Sequence, residues 1–152
     1  MPLKFFGGVH PDENKKSTNT CASTPALPPP AQLVIPMSLH IGAPCQPLVS
    51  VGDRVLRGQK IGDGEGLCVP VHASVSGTVV AVEPRPHTSG RMVMAVGIGN
   101  DFKDAPIPVE RCENPMETMD DDTILHKIRE AGLVGMGGAA FPGNVKALSA
   151  MG

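Results

Sequence analysis

Between residues 31 and 99 the chain is a succession of short β-branched runs, each stopped within a few residues by Gly, Pro or Asp. Residues 32–35 stop at Pro36, and 39–41 stop at Gly42 and Pro44. Residues 48–51 lead into Gly52-Asp53. Val55-Leu56 and Lys60-Ile61 flank Arg57-Gly58-Gln59, and 67–71 follow the turn-rich 62–66. The cleanest strand is 77–83, and 91–98 follows a turn expected over 84–90. No helix fits between such breaks. Short strands at this spacing predict a mainly β sandwich or barrel. The 18 glycines and 16 prolines suit its many turns. With 3% aromatics and no Trp or Tyr, the core must be built from Val, Ile, Leu, Ala and Met.

The flanks read differently. Residues 1–30 are irregular. Phe5-Phe6 anchors a loop that turns at Gly7-Gly8 and His10-Pro11, and Pro28-Pro29-Pro30 is a semi-rigid polyproline connector. His10, Asp12 and Glu13 carry metal-ligand atoms, but a mononuclear site needs a more convergent set, so a loop is the better reading. Residues 31–100 form the β domain, and 101–118 are a linker of prolines and acids. From residue 119 the pattern is helical. Asp120, Asp121 and Asp122 supply a cap and favourable first-turn charge, and Ile124, Leu125, Ile128 and Ala131 share one face. Lys127 and Arg129 suit the last turn, and Gly132 is placed as the C′ residue. A second helix is expected from Pro142 to Ala150.

Several classes are excluded. The net charge of −2 and the lack of a basic tract argue against nucleic acid. No apolar run approaches ~20 residues, so no spanning helix is expected, and the start of the chain lacks a signal-peptide h-region. Cys21, Cys45, Cys68 and Cys112 are too far apart in sequence for a Cys-x-x-Cys motif, so reduced structural thiols are expected.

Between the helices lies Gly132-Leu-Val-Gly-Met-Gly-Gly-Ala-Ala-Phe-Pro142. Such a loop can bring backbone N–H groups and a helix N-terminus to an anion. A helix precedes it instead of a strand, and the third fingerprint glycine is missing, so it is not a Rossmann loop. No Gly-Lys-Ser/Thr follows, so it is not a Walker A loop. A structural helix–turn–helix corner remains open on composition alone.

Two resemblances narrow these readings. Val51-Gly-Asp-Arg-Val55, Gly58-Gln59 and His72-Ala-Ser-Val-Ser-Gly-Thr-Val79 resemble the biotinyl/lipoyl-like hammerhead, which implies a barrel-sandwich hybrid. The tip 62–66 has no Lys, and Lys60 comes too early, so a lipoyl or biotin carrier is disfavoured. The stretch Gly132 to Lys146 is similar to the flavin- and NADH-binding loop of the complex I flavoprotein subunit. The opening Phe6-Gly-Gly-Val-His-Pro-Asp-Glu-Asn-Lys15 is similar to the start of the RnfC family, which belongs to the Rnf electron-transport complex. The resemblances of the glycine loop and of the opening segment imply that the start of a truncated α/β flavoprotein domain follows at 119–152.

That resemblance implies a fragment of an electron-transfer subunit of a membrane-bound, ion-translocating ferredoxin:NAD oxidoreductase. It implies FMN and NAD(H) as cofactors, with Gly135, Gly137, Gly138 and Ala139 giving backbone approach, Phe141 packing beside the nucleotide and Lys146 meeting phosphate or ribose oxygens. It further implies two [4Fe–4S] clusters beyond this chain, other Rnf subunits and ferredoxin as partners, and a peripheral place on the cytoplasmic side of the membrane. This fragment alone is expected to be inactive. Ala140 stands where the complex I pattern has a glycine and Met136 where it has an Arg, both tolerable within the Rnf family, and Gly143 stands where a Thr is usual. The competing reading is a non-catalytic docking or assembly module.

Overall fold

The computed structural model describes residues 28–109, 113–114 and 118–150. Phe5, Phe6, His10, Asp12, Glu13, Cys21 and Cys112 lie outside the described residues, as does most of the opening segment.

Among the described residues, seven strands form two antiparallel sheets. They are β1 (Gln32–Pro36), β2 (Gln46–Pro47), β3 (Arg54–Val55), β4 (Lys60–Asp63), β5 (Val71–His72), β6 (Gly77–Pro86) and β7 (Met92–Asn100). One sheet runs β1-β7-β6-β3 and the other β2-β4-β5. Met37, Val55, Ile61, Val79, Val96 and Ile98 close the core from both sides. The core is aliphatic and sulfur-containing, as an almost aromatic-free composition requires.

The Ser-Gly pair of the hammerhead motif explains one corner. Ser76 is fully buried, and its hydroxyl donates to Asp101 Oδ1 at 2.7 Å while accepting from Ala105 N–H at 3.0 Å. Gly77 follows because a Cβ there would stand 2.0 Å from Gly99 O across the β6–β7 pair. Arg54 pairs with the other oxygen of Asp101 at 2.7 Å. Hydrogen bonds from Ser76 and the Lys103 N–H hold the Asp101 carboxyl down at about 2. Residues 105–107 then pair with Arg57, which extends the barrel edge past β7.

Several strand expectations are corrected. No strand forms over 39–41, where Leu39 and Ile41 are exposed. The strand predicted at 48–51 lies earlier, at Gln46–Pro47, and Leu48 and Val51 are exposed. Only Val71 remains of the run 67–71. Pro44, Pro47 and Pro70 remove ladder donors at these corners. The predicted turn at Pro84 is instead strand, and the chain reverses at 87–90, with His87 N–H donating to Arg91 O. Pro84 and Pro86 are tolerated because β3 pairs only with Gly77 and Thr78, leaving the outer edge of β6 unpaired there.

The first helix, α1 (Asp121–Glu130), forms as its caps dictate. Asp120 accepts from Thr123 N–H at 2.8 Å. At the other end Gly132 N–H donates to Arg129 O, and Leu133 N–H to Ile128 O, the paired bonds of a Schellman motif. Gly132 has φ +66, and a Cβ there would stand 2.6 Å from Pro70 O. Both the conformation and the approach to the barrel therefore require glycine. The second helix, α2 (Gly143–Ala150), starts one residue after Pro142.

Charge also fixes α1 to the barrel. The Arg129 guanidinium meets Asp63 Oδ1 at 2.7 Å and Oδ2 at 3.4 Å, and donates to Gly64 O at 2.9 Å. Lys60 pairs with Asp63 at 3.0 Å and with Glu130. Desolvation would raise the Asp63 carboxyl, but Arg129 and Lys60 outweigh it and hold it at about 2. The tip that would carry a cofactor lysine in a carrier domain is thus clamped by a helix.

Candidate functional site

The glycine loop leaves α1 at Gly132 and returns at Pro142 as a closed hairpin. Gly135 N–H donates to Phe141 O at 2.8 Å and Gly143 N–H to Leu133 O at 2.8 Å, around an isolated bridge between Val134 and Pro142. Gly143 permits the second bond, because a Cβ there would stand 2.9 Å from Leu133 O. A Thr at this position would have to displace that backbone. Ala140 N–H donates to Gly137 O at 3.1 Å and tightens the tip.

The residues expected to approach a flavin are distributed along this hairpin. Gly137 and Gly138 sit at its tip, and a Cβ on either would meet nothing within 4 Å. Met136 beside them is fully exposed. Gly135 and Phe141 are opposed at the base, and Lys146 on α2 folds back so that Nζ lies 3.1 Å from a Cβ built on Gly135. Ala139 O accepts from Ile41 N–H at 3.0 Å, which ties the tip to the barrel. An open cleft of 440 Å³ lies at that seam, with Gly138, Ala139 and Ala140 on one side and Ser38, His40 and His87 on the other. Phe141 and Lys146 are not among its walls.

Ala140, which stands where the complex I pattern has a glycine, has φ +45. It adopts the left-handed conformation that glycine takes without strain. The substitution is therefore accommodated, at a cost.

Polar groups are left open here. The N–H groups of Met136, Gly137, Gly138 and Ala139 have no partner among the described residues. On the first turn of α2, Asn144 Oδ1 is buried and has none either. Buried polar atoms without partners are uncommon in folded proteins and suit a place where a ligand is held. Sequence alone does not single out Asn144, because one amide on a short helix carries no pattern. The unpaired N–H groups and Lys146 suit an anionic group, whereas Asn144 Oδ1, an acceptor, calls for a donor such as a hydroxyl or a ring N–H.

Comparison with known proteins agrees with this architecture. Residues 3–103 match the family model described as the RnfC barrel sandwich hybrid domain. The chain is 50% identical over 145 residues to the C subunit of the Na(+)-translocating ferredoxin:NAD(+) oxidoreductase complex of Acetobacterium woodii, covering 93% of this chain and 32% of that protein. It is 41% identical over 146 residues to the C subunit of the ion-translocating oxidoreductase complex of Salmonella arizonae, covering 93% of this chain and 21% of that protein. The chain thus spans about a third and about a fifth of the length of these relatives. Among the described residues no helix is long and apolar enough to cross a membrane. With the family model covering most of its length, the chain belongs to the RnfC barrel-sandwich hybrid domain family.

Proposed function

We propose that this chain is the N-terminal part of an electron-transfer subunit in a membrane-bound, ion-translocating ferredoxin:NAD oxidoreductase, and that its glycine loop contributes one wall of an FMN and NADH site. The observation that carries the proposal is the 50% identity to the C subunit of a Na(+)-translocating ferredoxin:NAD(+) oxidoreductase complex. With 93% of the chain covered, the matched span includes the loop tip. Bound FMN would supply the step between hydride and single-electron transfer. The chain's own residues bind and orient it. Gly137 and Gly138 allow close approach, the open N–H groups of 136–139 and Asn144 meet polar edges, and Lys146 offers a cation to phosphate. The [4Fe–4S] clusters and the remaining walls belong to sequence beyond this chain, and the partners are other subunits of the complex, NADH and, indirectly, ferredoxin. The placement is peripheral, on the cytoplasmic side of the membrane.

The test is FMN titration of the chain, followed by flavin fluorescence. Weak, saturable quenching is expected, and it is lost in Gly137→Val. A Val side chain there points into open space, so the fold survives and only ligand approach is blocked. Equal binding by the variant refutes the site. No binding by the wild-type chain leaves the barrel as a docking module.

A further inference from the structure

Two buried cysteines and a histidine that no part of the proposed redox role uses come together in the barrel. His40 lies in the loop after β1, Cys45 precedes β2, and Cys68 lies between β4 and β5. Both cysteines are 2% exposed. Their sulfurs are 3.3 Å apart, and His40 Nε2 lies 3.8 Å from Cys45 Sγ and 3.7 Å from Cys68 Sγ. The Val69 carbonyl oxygen is the fourth corner, at 3.2 Å from Cys45 Sγ, 3.8 Å from Cys68 Sγ and 3.1 Å from Nε2. These six separations describe a nearly regular tetrahedron. Its centre is about 2.1 Å from each corner, between the ~2.0–2.1 Å of zinc–nitrogen and the ~2.3 Å of zinc–sulfur bonds.

The surroundings favour a metal at that centre. In the tautomer with Nδ1–H, that group donates to Ile41 O at 3.1 Å, and Nε2 accepts from Val69 N–H at 3.3 Å while lying within 3.8 Å of both sulfurs. With that tautomer, Nε2 and Val69 O are two acceptors 3.1 Å apart, a contact that a cation between them makes favourable. His40 is the half-buried member and lines the open cleft beside the glycine loop, which gives an ion a route inward.

We infer that His40, Cys45 and Cys68, completed by the Val69 carbonyl, bind one thiophilic metal ion of the zinc class. The ion would pin the loop that carries Ile41, whose N–H holds Ala139 of the glycine loop. The proposal stands independently of the flavin reading, since its readouts need no flavin.

The experiment is cobalt(II) titration of the reduced, chelator-stripped chain. Expected are visible ligand-field bands and a near-ultraviolet thiolate charge-transfer band, saturating at about one equivalent and bleached by zinc, with stronger amide protection at Ile41. The paired variant Cys45→Ala, Cys68→Ala loses the charge-transfer band. If that core variant does not fold, His40→Gln carries the test. It should weaken binding by more than the ~10–100-fold that loss of a supporting residue costs. A folded, reduced chain without cobalt bands overturns the proposal, and so does undiminished binding in His40→Gln. A chain that takes up no metal and joins Cys45 to Cys68 as a disulfide under oxidant overturns it as well.

Discussion

Removing the Arg129 guanidinium should loosen α1 from the barrel without weakening the barrel itself. The Asp63 carboxyl sits at about 2 instead of its ordinary 3.8, with its side chain 23% exposed. At ~1.4 kcal/mol per pKa unit, that depression corresponds to about 2–3 kcal/mol of stability, which partial exposure reduces to roughly 1–2. Lys60 still contacts Asp63 in Arg129→Ala, but the bond to Gly64 O is lost, so ~1–2 kcal/mol remains the working value. Native-state amide exchange is the assay, because it separates local opening from global unfolding. Amides of α1 should lose about 5–30-fold in protection, while those of β6 and β7 stay unchanged. Asp63→Asn should lose a similar amount, and the double variant less than the sum.

The pH dependence has a definite sign. A depressed carboxyl stabilises fully above its ordinary value, and this contribution is lost as pH falls through the folded value. The protection gap between wild type and Arg129→Ala should therefore be largest above about pH 4 and shrink toward pH 2. Equal loss in β6 and β7, or a gap that ignores pH across that window, would refute the clamp. Arg85→Ala, which breaks the exposed pair with Glu83, is the control and should cost no more than ~0–1 kcal/mol.

Gly132→Ala should cost more than a left-handed alanine alone, ~1–2 kcal/mol, because its Cβ would also press on Pro70 O, and thermal melts followed at α1 should show it. Ala140→Gly should act in the opposite direction. Relief of ~1–2 kcal/mol of strain, less ~0.4–1 for a looser unfolded chain, should raise protection of the Gly135 and Gly143 amides. Lower protection at those amides would mean that the loop gains nothing from a glycine there.

What can be read from the sequence is local. Asp120, the acidic first turn, Arg129 and Gly132 define α1 to within its caps, since every bond involved spans five residues or fewer. The hammerhead glycines likewise mark corners that the structure keeps, and the aliphatic core follows from composition. The strands expected at 39–41, 48–51 and 67–71 fail for the opposite reason. An apolar run becomes a strand only if a partner lies alongside, and here prolines and exposed corners take that partner away. Long-range relations leave no local trace. Asp63 and Arg129 are 66 residues apart, and nothing near either signals a clamp. His40, Cys45 and Cys68 escape a reading of the sequence because metal motifs are recognised by close spacing, whereas these side chains, separated by 5 and 23 residues, converge only in the fold.

The clamp and the sulfur cluster bear on the glycine loop from opposite sides. Arg129 and Gly132 fix where the loop leaves α1, and the loop bearing His40 and Ile41 fixes where its tip rests. The loop's own hydrogen bonds close the hairpin and tighten the tip between Ala140 and Gly137, but they leave the N–H groups of 136–139 unspent. The rest of its rigidity comes from the two points at which it touches the barrel. If so, loosening either anchor should raise exchange at Gly137 and Gly138 while the β6–β7 pair stays protected, and loosening both should do so more than additively, because either one alone still limits the loop's excursion.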